Sequence, residues 1–304
     1  TDEAARKGLT SQRLASTIKF AEHFPQDSNT TVVMQGITQF IYDHYQEYDD
    51  TAKQLAKDLE AQITRIVATL PEDKNSALLL QGQTNLYLHF KDFDSAVRSA
   101  QALLAINPPV DQTLRLEAAT VVADAQFDKG NLEDADKSYQ QVLAFDIKDT
   151  KLKARYQDRL ATTYYRQAEK LRDEKNPELA AQAFLKAADM AADTKLKATA
   201  DFDAATVLLN AEKFKEAIPV LIAFRTRHPD SPLSQDIPEK LAVAYEKSDD
   251  LGNAALQYQA IAARDQKKNP AASREALWLA AETFEKIKQP EQALKIYQQY
   301  SADT

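Results

Sequence analysis

Glu216-Ala217-Ile218-Pro219-Val220-Leu221-Ile222-Ala223-Phe224 carries the pattern that decides the fold. Ala217, Leu221 and Phe224 stand at offsets of four and seven, which places all three on one face of a helix. The same triplet recurs along the chain as Ala96, Ala100, Leu103, then Ala135, Tyr139, Val142, and then Ala180, Phe184, Ala187. Two further copies follow as Ala254, Tyr258, Ile261 and Ala293, Tyr297, Tyr300. The leading alanines are 39, 45, 37, 37 and 39 residues apart. Nine residues before each alanine lies a second marker: Tyr87, Leu171, Leu208, Tyr245 and Phe284, with Gln126 in the second copy. The spacing predicts a helix–turn–helix unit repeated about six times. Two short helices cannot bury an apolar face alone, so the units must stack into a superhelical solenoid. The alanine lets neighbouring helices approach closely.

The rest of the sequence agrees with an all-α reading. Its 304 residues are 44% apolar and 28% charged, which argues against wholesale disorder. Only 5 glycines occur, and Val and Ile build no alternating strands. Prolines fall at Pro71, Pro108, Pro109, Pro229, Pro232, Pro270 and Pro290, which reads as turns. Asn176-Pro177-Glu178 and Gln289-Pro290-Glu291 read as helix starts. Pro219 is expected early in a helix, with a local kink. Between Asp149 and Asn176 there is neither Gly nor Pro, so one extended helix is expected. Residues 1–75 form an irregular N-terminal helical region, with two to four helices over 9–70, and residues 76–304 hold about six repeats. The chain ends just after the second helix of the sixth copy without a polar capping helix. The expectation is that the protein continues or that this end packs on something.

Charge and composition narrow the function. The net charge is −8, and residues 1–150 hold 14 Lys+Arg against 23 Asp+Glu, a net of −9. Such an acidic half disfavours nucleic acid. The basic-leaning stretch Lys148–Arg172 reads as a solvated helix face, with contact to an acidic partner as the other reading. No apolar run reaches 18 residues, so no transmembrane segment is expected. The absence of cysteine excludes disulfides and thiol chemistry, and suits the periplasm without excluding the cytosol. His23, His44, His89 and His228 never pair at zinc spacing, and His228 before Pro229 reads as a loop residue. Glu47-Tyr48-Asp49-Asp50 reads as a solvated turn and lacks calcium-loop spacing. No phosphate loop or nucleophile elbow occurs. The expectation is a non-enzyme without cofactor or metal. Tyr42, Tyr45 and Tyr48, three apart, read as packing residues or as an aromatic anchor for a partner.

These copies resemble the tetratricopeptide repeat family. Ala96, Ala100, Leu103 and Pro108 fit the tail of its pattern, with Tyr87 as the first-helix aromatic. Ala217, Leu221, Phe224 and Pro229 fit it too. Ala242, Tyr245, Ala254 and Tyr258 match the first part, as do Ala281, Phe284, Ala293 and Tyr297. The spacing exceeds the family's 34 residues. The resemblance implies a right-handed superhelical solenoid whose concave groove is lined by the first helix of each repeat. Carrying that register over gives groove candidates Gln81 and Asn85, then Thr120, Asp124 and Phe127, then Tyr165, Glu169 and Arg172. Phe202, Thr206 and Leu209 follow, then Glu239, Val243 and Glu246, then Trp278, Glu282 and Glu285. The preponderance of Glu in the later repeats favours a basic or amide-rich peptide segment. The Lys and Asn pattern that clamps a chaperone's C-terminal carboxylate is absent from its column. Trp278 reads either as interhelix packing or as a groove anchor.

Phe224-Arg225-Thr226-Arg227-His228-Pro229-Asp230-Ser231-Pro232 is similar to inter-repeat segments of bacterial envelope members of the family. Examples are the lipoprotein of the outer-membrane barrel assembly machine and the periplasmic partner of the Tol–Pal system. Phe20–Ser28 echoes the same segment, and Glu275–Glu282 is similar to their first helix. This resemblance implies a periplasmic protein–protein scaffold in an envelope complex. The alternatives are a peptidoglycan or polysaccharide-export scaffold and a cytoplasmic peptide-binding regulator.

Overall fold

The computed structural model describes residues 3–44, 49–70, 74–107 and 110–302. Pro71, Pro108, Pro109, Tyr45 and Tyr48 lie outside the described residues. The described residues form helices and short connections, with no strand among them. Three helices open the chain: α1 (Glu3–His23), α2 (Ser28–His44) and α3 (Asp49–Thr69). Six helix pairs follow. They are α4 (Lys74–His89) with α5 (Phe93–Leu104), α6 (Gln112–Asp128) with α7 (Leu132–Leu143), and α8 (Thr150–Asp173) with α9 (Pro177–Met190). Then come α10 (Thr194–Asn210) with α11 (Phe214–Arg227), α12 (Ile237–Lys247) with α13 (Leu251–Asp265), and α14 (Pro270–Lys286) with α15 (Pro290–Ala302). A short 3-10 turn, Pro232–Asp236, leads into α12.

The extended helix expected after Asp149 is α8, 24 residues long. Pro177 and Pro290 begin α9 and α15 as their sequence context predicts. α11 runs unbroken through Pro219. Of the expected turn Glu47–Asp50, Glu47 and Tyr48 lie outside the described residues, and the backbone of Asp49 and Asp50 begins α3.

Each triplet alanine sits on the second helix of its pair and is fully buried or nearly so. Nine residues earlier, the marker takes part in the turn that ends the first helix. The backbone N–H of Asp92 donates to the carbonyl of Tyr87 at 2.9 Å. The same bond joins Asn131 to Gln126, Asn176 to Leu171, Lys213 to Leu208, Asp250 to Tyr245 and Gln289 to Phe284. This six-to-one bond is the Schellman termination, which needs one residue in the left-handed region. That residue is Lys91, Gly130, Lys175, Glu212, Asp249 and Lys288 in turn, with φ between 57° and 77°. Each lies five positions before its alanine. The next residue starts the second helix, and Asp92 and Asp250 cap it through bonds to the backbone N–H of Ser95 and Asn253, both 3.2 Å.

The chain forms two compact units, Thr1–Tyr156 and Gln157–Thr304, divided within α8. In the first, the core runs from Leu14 and Ile37 through Leu59, Ile63, Leu86 and Tyr87 to Leu103 and Ala118. In the second, Phe184 packs with Ala168, Ala180 and Ala217, Phe224 with Leu221 and Leu241, and Phe284 with Ala255 and Ala281.

Ala254 has no exposed surface. Ala254→Leu would add three carbon atoms to a filled contact, and overpacking of this kind costs about 1–3 kcal/mol. The expected result is a melting temperature several degrees lower in thermal unfolding followed by circular dichroism. An unchanged value would remove this alanine from the helix contact.

Candidate functional site

The candidate residues lie on the first helices of the pairs, and the structure divides them sharply. In the first unit, Gln81 is half-buried and donates from its side-chain amide to Glu117 on α6. Asn85 is exposed. The Thr120 hydroxyl donates to the Leu116 carbonyl at 2.8 Å. Asp124 accepts from the Tyr139 hydroxyl. Phe127 is not presented to a groove. It is 3% exposed, and its ring meets Tyr139 edge-on at 6.4 Å. Beside it, Gln126 occupies the marker position that is apolar in the other copies, and it accepts from the Asn131 amide at 2.8 Å.

In the second unit, the Tyr165 hydroxyl donates to Asp203, and its ring packs on Phe184 at 4.9 Å. Glu169 is half-buried, and exposed Arg172 pairs with its neighbour Asp173 at 3.2 Å. Phe202 meets Phe224 edge-on at 5.6 Å, and the Lys240 ammonium lies over the Phe202 ring, 5.2 Å from its centre. The Thr206 hydroxyl is spent on the Phe202 carbonyl at 2.9 Å, and Leu209 is half-buried. Glu239 is held by the Arg264 guanidinium, which also binds Asp265. Val243 and Glu246 are exposed, and Glu246 accepts from the Tyr258 hydroxyl at 3.1 Å. Burial and then the Glu246 bond push the Tyr258 hydroxyl up to about 12.

The candidates that come together as an open surface are those on α14. Trp278, Glu282 and Glu285 follow one another at helical spacing. Trp278 is 44% exposed. Its ring centre lies 5.3 Å from Tyr297 and 5.5 Å from Tyr300, both on α15, at interplanar angles of 63° and 61°. Glu285 accepts from the Tyr297 hydroxyl at 3.3 Å. Lost hydration and the charges of Glu285 and Glu282 raise the pKa of that hydroxyl, so both carboxylates act on the same ring cluster. The sequence reading offered packing or a groove anchor for Trp278; the indole packs on both tyrosines and keeps 44% of its surface exposed.

Residues 275–303 match the tetratricopeptide repeat family model. The matched segment holds the tryptophan, both tyrosines and both glutamates. No curated protein matches the chain. Among solved structures, the chain is similar to the C-terminal part of a TPR repeat-containing protein from Cytophaga hutchinsonii. That pair shares 14% identity at a TM-score of 0.36 and covers 96% of this chain and 99% of the other. A tetratricopeptide repeat protein from Parabacteroides merdae matches at 13% identity and TM-score 0.30, over 87% of this chain and 93% of that one. BtubC (BKLC) from P. vanneervenii matches at 17% identity and TM-score 0.34, over 70% and 88%.

Outside this tetratricopeptide-like repeat, the second unit holds a polar cluster that the sequence reading missed. Asp201 on α10 is 2% exposed. Its carboxylate accepts two bonds from Arg227, at 3.1 and 3.2 Å, and lies 2.7 Å from His228 Nε2. Arg227 reaches Asp189 as well, at 3.2 Å. His228 follows the end of α11, outside the helix as its sequence context predicts, and turns its ring inward onto Asp201, 5.0 Å from Phe224. Above this cluster lies a cavity of about 620 Å³ lined by Lys195, Thr199, Arg227, His228 and Pro229. An acidic residue within an alanine-rich helix was the only signal, and its partners lie 26 and 27 residues away. Among the described residues no group of three or more His, Asp or Glu side chains is placed to hold a metal, and no helix is long and apolar enough to cross a membrane.

Proposed function

We propose that this chain is a non-catalytic protein–protein interaction scaffold whose first-helix surface in the second unit receives a basic segment of another protein. The observation that carries the reading is the exposed Trp278 cluster beside Glu282 and Glu285. Large aromatic side chains left partly open are enriched in binding hot spots, and a carboxylate rim selects basic partners. The setting we propose is a periplasmic complex of a bacterial envelope. Its support is the likeness of Phe224–Pro232 and Glu275–Glu282 to segments of envelope repeat proteins.

A photo-crosslinking residue at position 282 tests this in the cells that make the protein. Leu256, exposed on α13, is the control position. The expected result is one dominant protein adduct from position 282, recovered with the envelope fraction. Equal labelling from positions 282 and 256 would overturn the binding surface. A dominant adduct in the cytosolic fraction would leave the scaffold and remove the envelope.

A further inference from the structure

The first helices repeat a column fifteen residues before each triplet alanine: Gln81, Thr120, Tyr165, Phe202, Glu239 and Trp278. Two of these positions in the second unit show what the column does with a cation. The Phe202 ring is covered by the Lys240 ammonium, which comes from the first helix of the following pair. Glu239 binds the Arg264 guanidinium of its own pair. The fold thus already seats one lysine on a ring and one arginine on a carboxylate in this column. Trp278 offers a ring with carboxylates next to it, and among the described residues no lysine or arginine lies over it.

The geometry is suited to such an occupant. Neither Tyr297 nor Tyr300 stacks flat on the indole, because both meet it at about 60°. Beside these rings Trp278 keeps 44% of its surface exposed. Trp is the best cation–π acceptor, and a cation within about 6 Å of the ring centre is attracted by it. Glu282 and Glu285 lie one and two turns further along α14, and neither forms an ion pair among the described residues. Glu285 has one bond, from a tyrosine hydroxyl, which leaves its charge uncompensated. A guanidinium matches this set better than an ammonium, because its plane can stack on the indole while its fork reaches a carboxylate.

We propose that Trp278, Tyr297 and Tyr300, with Glu282 and Glu285, form a seat for an arginine side chain in the basic segment of the partner. The proposal rests on the scaffold reading above and names the group that is recognised. It places the specificity of the surface in one side-chain pocket rather than in diffuse charge.

Trp278 is the single tryptophan, so fluorescence excited in the indole band beyond tyrosine absorption reports this seat. The purified chain is titrated with hexa-arginine amide at physiological ionic strength. Hexa-citrulline amide, the neutral isostere, and hexa-lysine amide serve as comparisons. The expected result is a saturable change with hexa-arginine, at least tenfold weaker with hexa-citrulline and severalfold weaker with hexa-lysine. Glu282→Gln with Glu285→Gln is expected to weaken hexa-arginine at least fivefold, while Glu216→Gln, exposed on α11, leaves it unchanged. Circular dichroism confirms that each variant is folded. Equal binding of hexa-citrulline, or equal weakening by Glu216→Gln, would overturn the arginine seat. Hexa-lysine binding as tightly as hexa-arginine would replace it with a seat for any cation. A crosslinked partner from position 282 together with a failed titration would sink the seat and leave the scaffold standing.

Discussion

Arg227→Met is expected to destabilise the second unit by about 3 kcal/mol, within the range found when one member of a buried ion pair is removed. Asp201 keeps 2% of its surface, and three of the contacts that compensate its charge come from Arg227 and His228. Taking the guanidinium away leaves a desolvated carboxylate facing one imidazole. The Arg227 side chain is itself half in water, so its own burial costs little, and the loss falls on the acid. Asp201→Asn should cost less, because an amide carries no charge to be stranded. The double variant Arg227→Met with Asp201→Asn should recover part of the loss, since the two residues are directly bonded and their effects are not additive. The measurement is urea unfolding followed by far-ultraviolet circular dichroism. If Arg227→Met costs less than Asp201→Asn, the buried acid is not what the arginine supports.

That cluster also shows where sequence reading stops. The triplet alanines and their markers were legible because helical periodicity acts over one turn or two, and the structure buries every one of those alanines. Helix starts at Pro177 and Pro290 were legible for the same local reason. The partners of Asp201 and of Glu239 lie about 25 residues away on another helix, and only folding brings them together. Register alone placed Phe127 and Glu239 in the same class as Trp278. The structure separates them: Phe127 is buried against Tyr139, Glu239 is held by Arg264, and Trp278 stays partly open. The turn between the helices of each pair was hidden for a different reason. Its left-handed residue is glycine in one copy of six, so the usual signal is absent from Lys91, Lys175, Glu212, Asp249 and Lys288.

This departure from glycine makes the last prediction. Replacing Lys175, Glu212, Asp249 and Lys288 together by glycine should stabilise the second unit by about 2–4 kcal/mol. A side chain in the left-handed region costs about 1–2 kcal/mol, and glycine there loses about 0.5–1 kcal/mol of that in chain entropy. The net gain is roughly 0.5–1 kcal/mol per site, smallest at Asp249, since aspartate tolerates this region best. None of the four side chains has a hydrogen bond or ion pair to lose among the described residues. The sites stand 37, 37 and 39 residues apart in separate turns, so their effects should add. At about 2–4 °C per kcal/mol for a unit of this size, the melting temperature should rise by roughly 5–15 °C. Gly130→Ala is the reverse experiment. Its φ is +77° and a Cβ there would meet nothing within 4 Å, so any loss of stability reports backbone strain and not a clash. A quadruple variant no more stable than the parent, with Gly130→Ala equally neutral, would mean that the six-to-one hydrogen bonds hold these turns at no conformational cost. A quadruple variant that unfolds earlier would show that the entropy of four glycines outweighs the strain of four side chains.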